Sequence, residues 1–116
     1  MRIDGIDVVF FWVADLDTSV AWYTEVLGLI AGPRYGDWQE FAVDGGTRFA
    51  LHGGRLAGGP ATAAVAFNTP DLRAAIDELA GRGAVPIDEV TDTGAALFVT
   101  FSDPDGNHVQ LLERRA

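Results

Sequence analysis

The sequence predicts an α+β fold built from two copies of one strand–helix–strand–strand–strand module, and three observations lead to it. The first is an internal repeat. Val9 aligns with Val65, Phe11 with Phe67, Asp15-Leu16 with Asp71-Leu72, Val20 with Ile76 and Tyr23 with Leu79, all at an offset of 56 (9 to 65). A period near half the chain length marks a tandem duplication. The second is the terminal stretch from Phe101 to Glu113, in which Asp103-Pro104-Asp105-Gly106-Asn107 separates two apolar runs. Pro104 presets φ at the start of the turn, and Gly106 or Asn107 can take positive φ near its end, so the stretch reads as a hairpin with a five-residue connection. Its echo lies between Phe41 and Leu51, around Asp44-Gly45-Gly46. The third is size: 116 residues that are 48% apolar suffice for one domain with one modest core.

The elements follow in order. Residues 6–13, Ile-Asp-Val-Val-Phe-Phe-Trp-Val, form a short run rich in β-branched and aromatic side chains, expected to be a strand buried on both faces. Period 2 places Val8, Phe10 and Trp12 on one face and Val9, Phe11 and Val13 on the other. A helix follows, capped by Asp15 or Asp17, with Leu16, Val20, Tyr23 and Leu27 as its apolar stripe and Gly28 at its C′ position. Strands are expected at 29–35, interrupted by Gly32-Pro33, at 38–43 and at 48–52. Residues 53–60 hold four glycines and read as a linker. The second copy starts with a strand at 63–67. Its helix has Thr69 as expected cap, Pro70 in the first turn and Leu72, Ala75, Ile76 and Leu79 as its stripe, ending at Gly81 and Gly83. Strands at 85–90, 95–101 and 109–113 complete it. The domain is thus one unit of 1–116, with modules of about 1–54 and 61–116 joined by the glycine-rich stretch 53–60.

Composition excludes several classes. There is no cysteine, hence no disulfide framework, thiol nucleophile or cysteine zinc site. Eight basic against seventeen acidic residues give a formal charge of −9, which repels phosphate backbones and argues against nucleic-acid binding. No apolar run approaches a membrane span, so no membrane association is expected. Residues 1–7 show no basic segment followed by an apolar one, so no secretory leader is expected, and a cytoplasmic location follows by default.

The run Val13-Ala14-Asp15-Leu16-Asp17-Thr18-Ser19-Val20-Ala21-Trp22-Tyr23, leading to Val26-Leu27-Gly28-Leu29, resembles the vicinal oxygen chelate superfamily. So does the terminal Asp-Pro-Asp-Gly-Asn hairpin. This superfamily includes glyoxalase I, the extradiol dioxygenases, the fosfomycin-modifying enzymes and the bleomycin resistance proteins. With the paired βαβββ pattern, the resemblance covers nearly the whole chain. It implies the glyoxalase/bleomycin resistance fold, with curved mixed sheets around a cavity, usually in a homodimer. The metal enzymes of the family place ligands on the first and last strands of each module. Carried over position by position, these fall on Val8, Ala50, Ala64 and Gln110. Three of the four have no donor atom, so the resemblance implies a member without the usual metal ligands, and no cofactor is expected. His52 and His108 share faces with Ala50 and Gln110, which leaves two imidazoles and an amide as a lesser possibility for a metal site.

Extending period 2 from those positions gives an expected cavity face of Val8, Phe10, Trp12, Gln39, Phe41, Ala50, His52, Ala64, Ala66, Asn68, Phe98, Thr100, His108 and Gln110. Mainly apolar with a few polar groups, it has the make-up of a small-molecule site. The expected ligand-binding residues are Phe10, Trp12, Trp38, Phe41, His52, Phe98 and Gln110. Each tryptophan could equally serve the core or a subunit contact. Two functions remain open. One is a metal-free binder of the bleomycin resistance type, sequestering an aromatic, apolar or cationic drug or metabolite and so conferring antibiotic resistance. The other is an enzyme of the same superfamily, lyase, isomerase or dioxygenase-like, with His52 as candidate acid–base group beside Glu40, Tyr35 or Asp37, or with a non-standard metal site.

Overall fold

The computed structural model describes residues 2, 8–54 and 64–115. The chain divides into two compact units, Met1–Gly59 and Pro60–Ala116. Each is a βαβββ module with one four-stranded mixed sheet, and the fold is α+β as the sequence predicts. Residues 6 and 7 of the first expected strand, residue 63 of the strand expected at 63–67, and most of the expected linker, 55–60, lie outside the described residues.

In the first module the elements are β1 (Val8–Trp12), α1 (Leu16–Ala21) continuing into a π-helical turn (Trp22–Val26), β2 (Ile30–Tyr35), β3 (Trp38–Ala42) and β4 (Arg48–His52). The sheet order is β1-β4-β3-β2, with β1 parallel to β4 and the other pairs antiparallel. Asp15 caps α1 by accepting from the Thr18 N–H at 3.0 Å. The chain leaves the helix through Gly28 at φ 81°, the left-handed conformation expected at that position. Phe11, Val13, Leu16, Tyr23, Phe41, Phe49 and Leu51 are buried as one core. Phe49 meets Phe11 edge to face at 5.6 Å and Tyr23 at 5.5 Å. Such contacts add about 0.5–1.5 kcal/mol each beyond area burial.

The second module repeats the plan with β5 (Ala64–Asn68), α2 (Leu72–Gly81), β6 (Thr91–Asp92), β7 (Ala96–Ser102) and β8 (His108–Arg114), in sheet order β5-β8-β7-β6. Its core is Leu72, Leu79, Val99, Phe101, Val109 and Leu111. The connection between β7 and β8 is folded around the buried carboxylate of Asp103. Oδ1 accepts the N–H groups of Asp105 at 2.9 Å and Asn107 at 2.8 Å, and Oδ2 accepts the Asn107 side-chain amide at 3.0 Å. Gly106 takes φ 83°, which a side chain would resist.

Four expectations are corrected. The first strand is buried on one face only: Phe11 is 1% exposed, but Phe10 is 36% and Trp12 49% exposed. An all-apolar run carries no alternation to tell a two-sided strand from one with an apolar outer face. Gln39 and Phe41 belong to the helix-covered side, because the β3–β4 register sets Gln39 opposite Leu51 and Phe41 opposite Phe49. The buried Gln39 amide donates to the Gly32 carbonyl at 2.9 Å, across the bulge where Gly32-Pro33 interrupts β2. The cap of α2 is Asp71 rather than Thr69, accepting from the Ala74 N–H at 3.1 Å. Residues 85–90 form no strand. Pro86 has no N–H to give, and the Asp88 carboxylate takes the Thr100 N–H at 2.8 Å. Among the described residues no helix is long and apolar enough to cross a membrane.

Candidate functional site

The face of each sheet turned away from its helix follows from register. In the first module Tyr35, Trp38, His52 and Trp12 stand in one row across β2, β3, β4 and β1. Gly36, at φ 57°, and Asp37 close the two-residue hairpin that sets Tyr35 opposite Trp38. Beside this row stand Glu40, Ala50 and Phe10. The rings form a connected cluster. Trp12 stacks on His52 with centroids 4.1 Å apart and planes inclined at 30°. Trp38 meets His52 edge-on at 5.9 Å, and Phe10 lies 5.1 Å from Trp38 and 5.8 Å from Trp12. The Trp38 Nε1–H donates to Glu40 Oε2 at 2.9 Å, and the same oxygen accepts from Arg48 Nη1 at 2.8 Å.

The second module gives an internal control. The residue after each first strand anchors the last: the Val13 N–H donates to the His52 carbonyl at 2.8 Å, and the Thr69 N–H to the Leu112 carbonyl at 2.9 Å. Register then pairs Trp12 with Asn68, His52 with Leu112, Trp38 with Phe98 and Tyr35 with Thr91. Apart from Gln39, which stands where the second copy has Val99, the buried helix-side positions of the paired strands are apolar in both copies, as in Phe41 and Phe101 or Leu51 and Leu111. The open faces diverge. The second carries Ala64, Ala66, Asn68, Phe98, Thr100 and Gln110, whose amide donates to the Thr100 hydroxyl at 3.3 Å. The duplicated scaffold therefore keeps its core and places the aromatic cluster on one copy. Folding requires no such cluster, since the other copy forms its sheet without one.

Of the expected binding residues, the structure thus brings together Phe10, Trp12, Trp38 and His52. It places Phe41 on the opposite side of that sheet, and Phe98 and Gln110 on the open face of the second. Glu40 and Tyr35 share the first open face. Glu40 stands on this face, opposite Ala50, because β3 runs in the opposite phase to the one that period 2 predicts for Gln39 and Phe41.

The positions implied for a metal do lie on open faces, Val8 and Ala50 on the first sheet and Ala64 and Gln110 on the second. Their donor set does not fit a metal: three have none, and the Gln110 amide is turned to Thr100. Among the described residues no three His, Asp or Glu side chains are placed to hold an ion. His108 is exposed at the start of β8. The His52 ring is bonded through Nδ1 to the Gly53 carbonyl at 2.7 Å, and no carboxylate among the described residues hydrogen-bonds it. A shallow depression in the second module is lined by Asn68, Thr69, Pro70, Glu113 and Arg114. The Glu113 carboxylate there is used by the fold, accepting the first N–H of α2 from Leu72 at 2.9 Å.

Residues 5–111 match the family model of the glyoxalase/bleomycin resistance protein/dioxygenase superfamily. The chain belongs to this superfamily. No curated protein matches it. Among solved structures, it is similar to TnmS3, an antibiotic binding protein from Streptomyces sp. CB03234, at 24% identity and TM-score 0.81 with 99% of each chain covered. A glyoxalase/bleomycin resistance protein/dioxygenase from Nocardioides is 22% identical at TM-score 0.80, covering 98% of this chain and 85% of that one. A virulence protein from Salmonella typhimurium is 25% identical at TM-score 0.77, covering 99% and 100%. Superfamily membership accounts for the paired modules.

Proposed function

We propose that this superfamily member is a metal-free small-molecule binder that sequesters a planar aromatic or apolar compound on the open face of its first sheet. One observation carries the reading: Phe10, Trp12, Trp38 and His52 are gathered on that face, with Trp12 about half exposed, while the duplicate sheet lacks the cluster. Exposed aromatic surface of this kind costs solvation unless something covers it. Flat rings with a few polar groups suit a conjugated ligand. The antibiotic binding by TnmS3 is a use to which the same fold has been put. The absence of a charge partner for His52 among the described residues weighs against an acid–base enzyme. We also infer that the two modules act as one domain within a homodimer, since Ile30, Val85 and Ile87 leave more than half of their surface exposed.

The test is a calorimetric and tryptophan-fluorescence titration against naphthols, flavonoids and phenazines. Saturable binding is expected, weakened by about 1–3 kcal/mol in Trp12→Ala. No heat and no change in emission across the panel would remove the proposal.

A further inference from the structure

We infer that the ligand carries an O–H or N–H donor on its ring system, and that Nε2 of His52 accepts it. This rests on the binding reading above and deepens it. A carbonyl oxygen can only accept, so the 2.7 Å contact between His52 Nδ1 and the Gly53 carbonyl places the proton of the neutral ring on Nδ1. Nε2 then presents a lone pair. Among the described residues no group hydrogen-bonds that nitrogen, and the ring is partly open to solvent.

The tautomer is held from behind. Gly53 is buried, its N–H donates to the Asp37 carbonyl at 2.7 Å, and a Cβ on it would lie 3.3 Å from the Leu16 Cβ. The carbonyl that orients the imidazole is thus fixed by the start of α1 and by the β2–β3 hairpin. Stacking on Trp12 and the edge of Trp38 fix the ring plane. Glu40, the neighbouring acceptor on this face, already takes Trp38 Nε1 and Arg48 Nη1 on one oxygen, and its side chain is only 16% exposed. A flat ring that covers Phe10 and Trp12 therefore meets an aimed acceptor at Nε2, and a ligand that can only accept leaves this nitrogen without a partner.

The experiment compares naphthalene, a naphthol and its methyl ether on the same protein by calorimetry. The naphthol should bind about five- to tenfold more tightly than the ether, the scale of one hydrogen bond. In His52→Phe, which keeps a ring against Trp12, the two should bind alike. In the wild-type protein the His52 Nε2 nitrogen resonance should shift with the naphthol and stay in place with the ether, which does not depend on any variant folding. Equal affinities for naphthol and ether in the wild type would overturn the inference and leave aromatic binding standing. A preference that survives His52→Phe would also overturn it. Binding of none of the three probes would overturn both readings.

Discussion

Asp103→Ala should be among the most damaging single substitutions outside the two hydrophobic cores. The Asp103 carboxylate is buried and accepts the backbone N–H groups of Asp105 and Asn107 and the Asn107 side-chain amide. A hydrogen bond to a charged group contributes about 1.5–3 kcal/mol, and such contributions in one network do not add fully. A net loss of about 3–4 kcal/mol follows, a large share of the roughly 5–15 kcal/mol that holds a domain folded. Asp103→Asn keeps one oxygen for the two backbone donors but sets amide against amide at Asn107, so it should cost about 1–2 kcal/mol. Urea unfolding followed by circular dichroism measures both, with an unchanged slope expected because the exposed surface is the same. A loss below about 1 kcal/mol in Asp103→Ala would refute the claim that this carboxylate organises the β7–β8 connection.

Asp15→Ala and Asp71→Ala remove equivalent caps from the two modules and should each cost about 1 kcal/mol in the same unfolding assay. Elemental analysis of protein purified without added metal should find no stoichiometric zinc, iron, manganese or nickel, and a chelator should leave ligand binding unchanged. Light scattering at tens of micromolar should give the mass of a dimer; a monomer would remove the homodimer from the account.

The repeat was legible because duplication leaves matched landmarks. Asp15 and Asp71 cap their helices at corresponding positions, and β1 and β5 end at corresponding residues, Trp12 and Asn68. The terminal connection was legible from Pro104 and Gly106, but the buried role of Asp103 was not, since Asp in a turn is ordinarily solvated. The phase of β3 was misread for a physical reason. In Trp38-Gln39-Glu40-Phe41 the buried set includes the polar Gln39, which serves the bulge carbonyls, while the open set includes Trp38, so polarity does not follow burial. A one-residue error of phase moves every side chain to the other face, and this is how Phe41 was exchanged for Glu40. Phe10, Trp12 and His52 share one face of the first sheet, in the phase that Val8 and Ala50 set for β1 and β4. Their clustering with Trp38 could be read only from register.

The most direct test of the central claim is a nitrogen–proton NMR titration of the protein with a naphthol, following backbone amides, tryptophan indoles and histidine rings. Saturable shifts should concentrate on the indoles of Trp12 and Trp38, the ring of His52 and the amides of β1, β3 and β4, with little change across β5 to β8. Shifts concentrated instead around Asn68, Pro70 and Arg114, with the three rings of the first module unmoved, would contradict it.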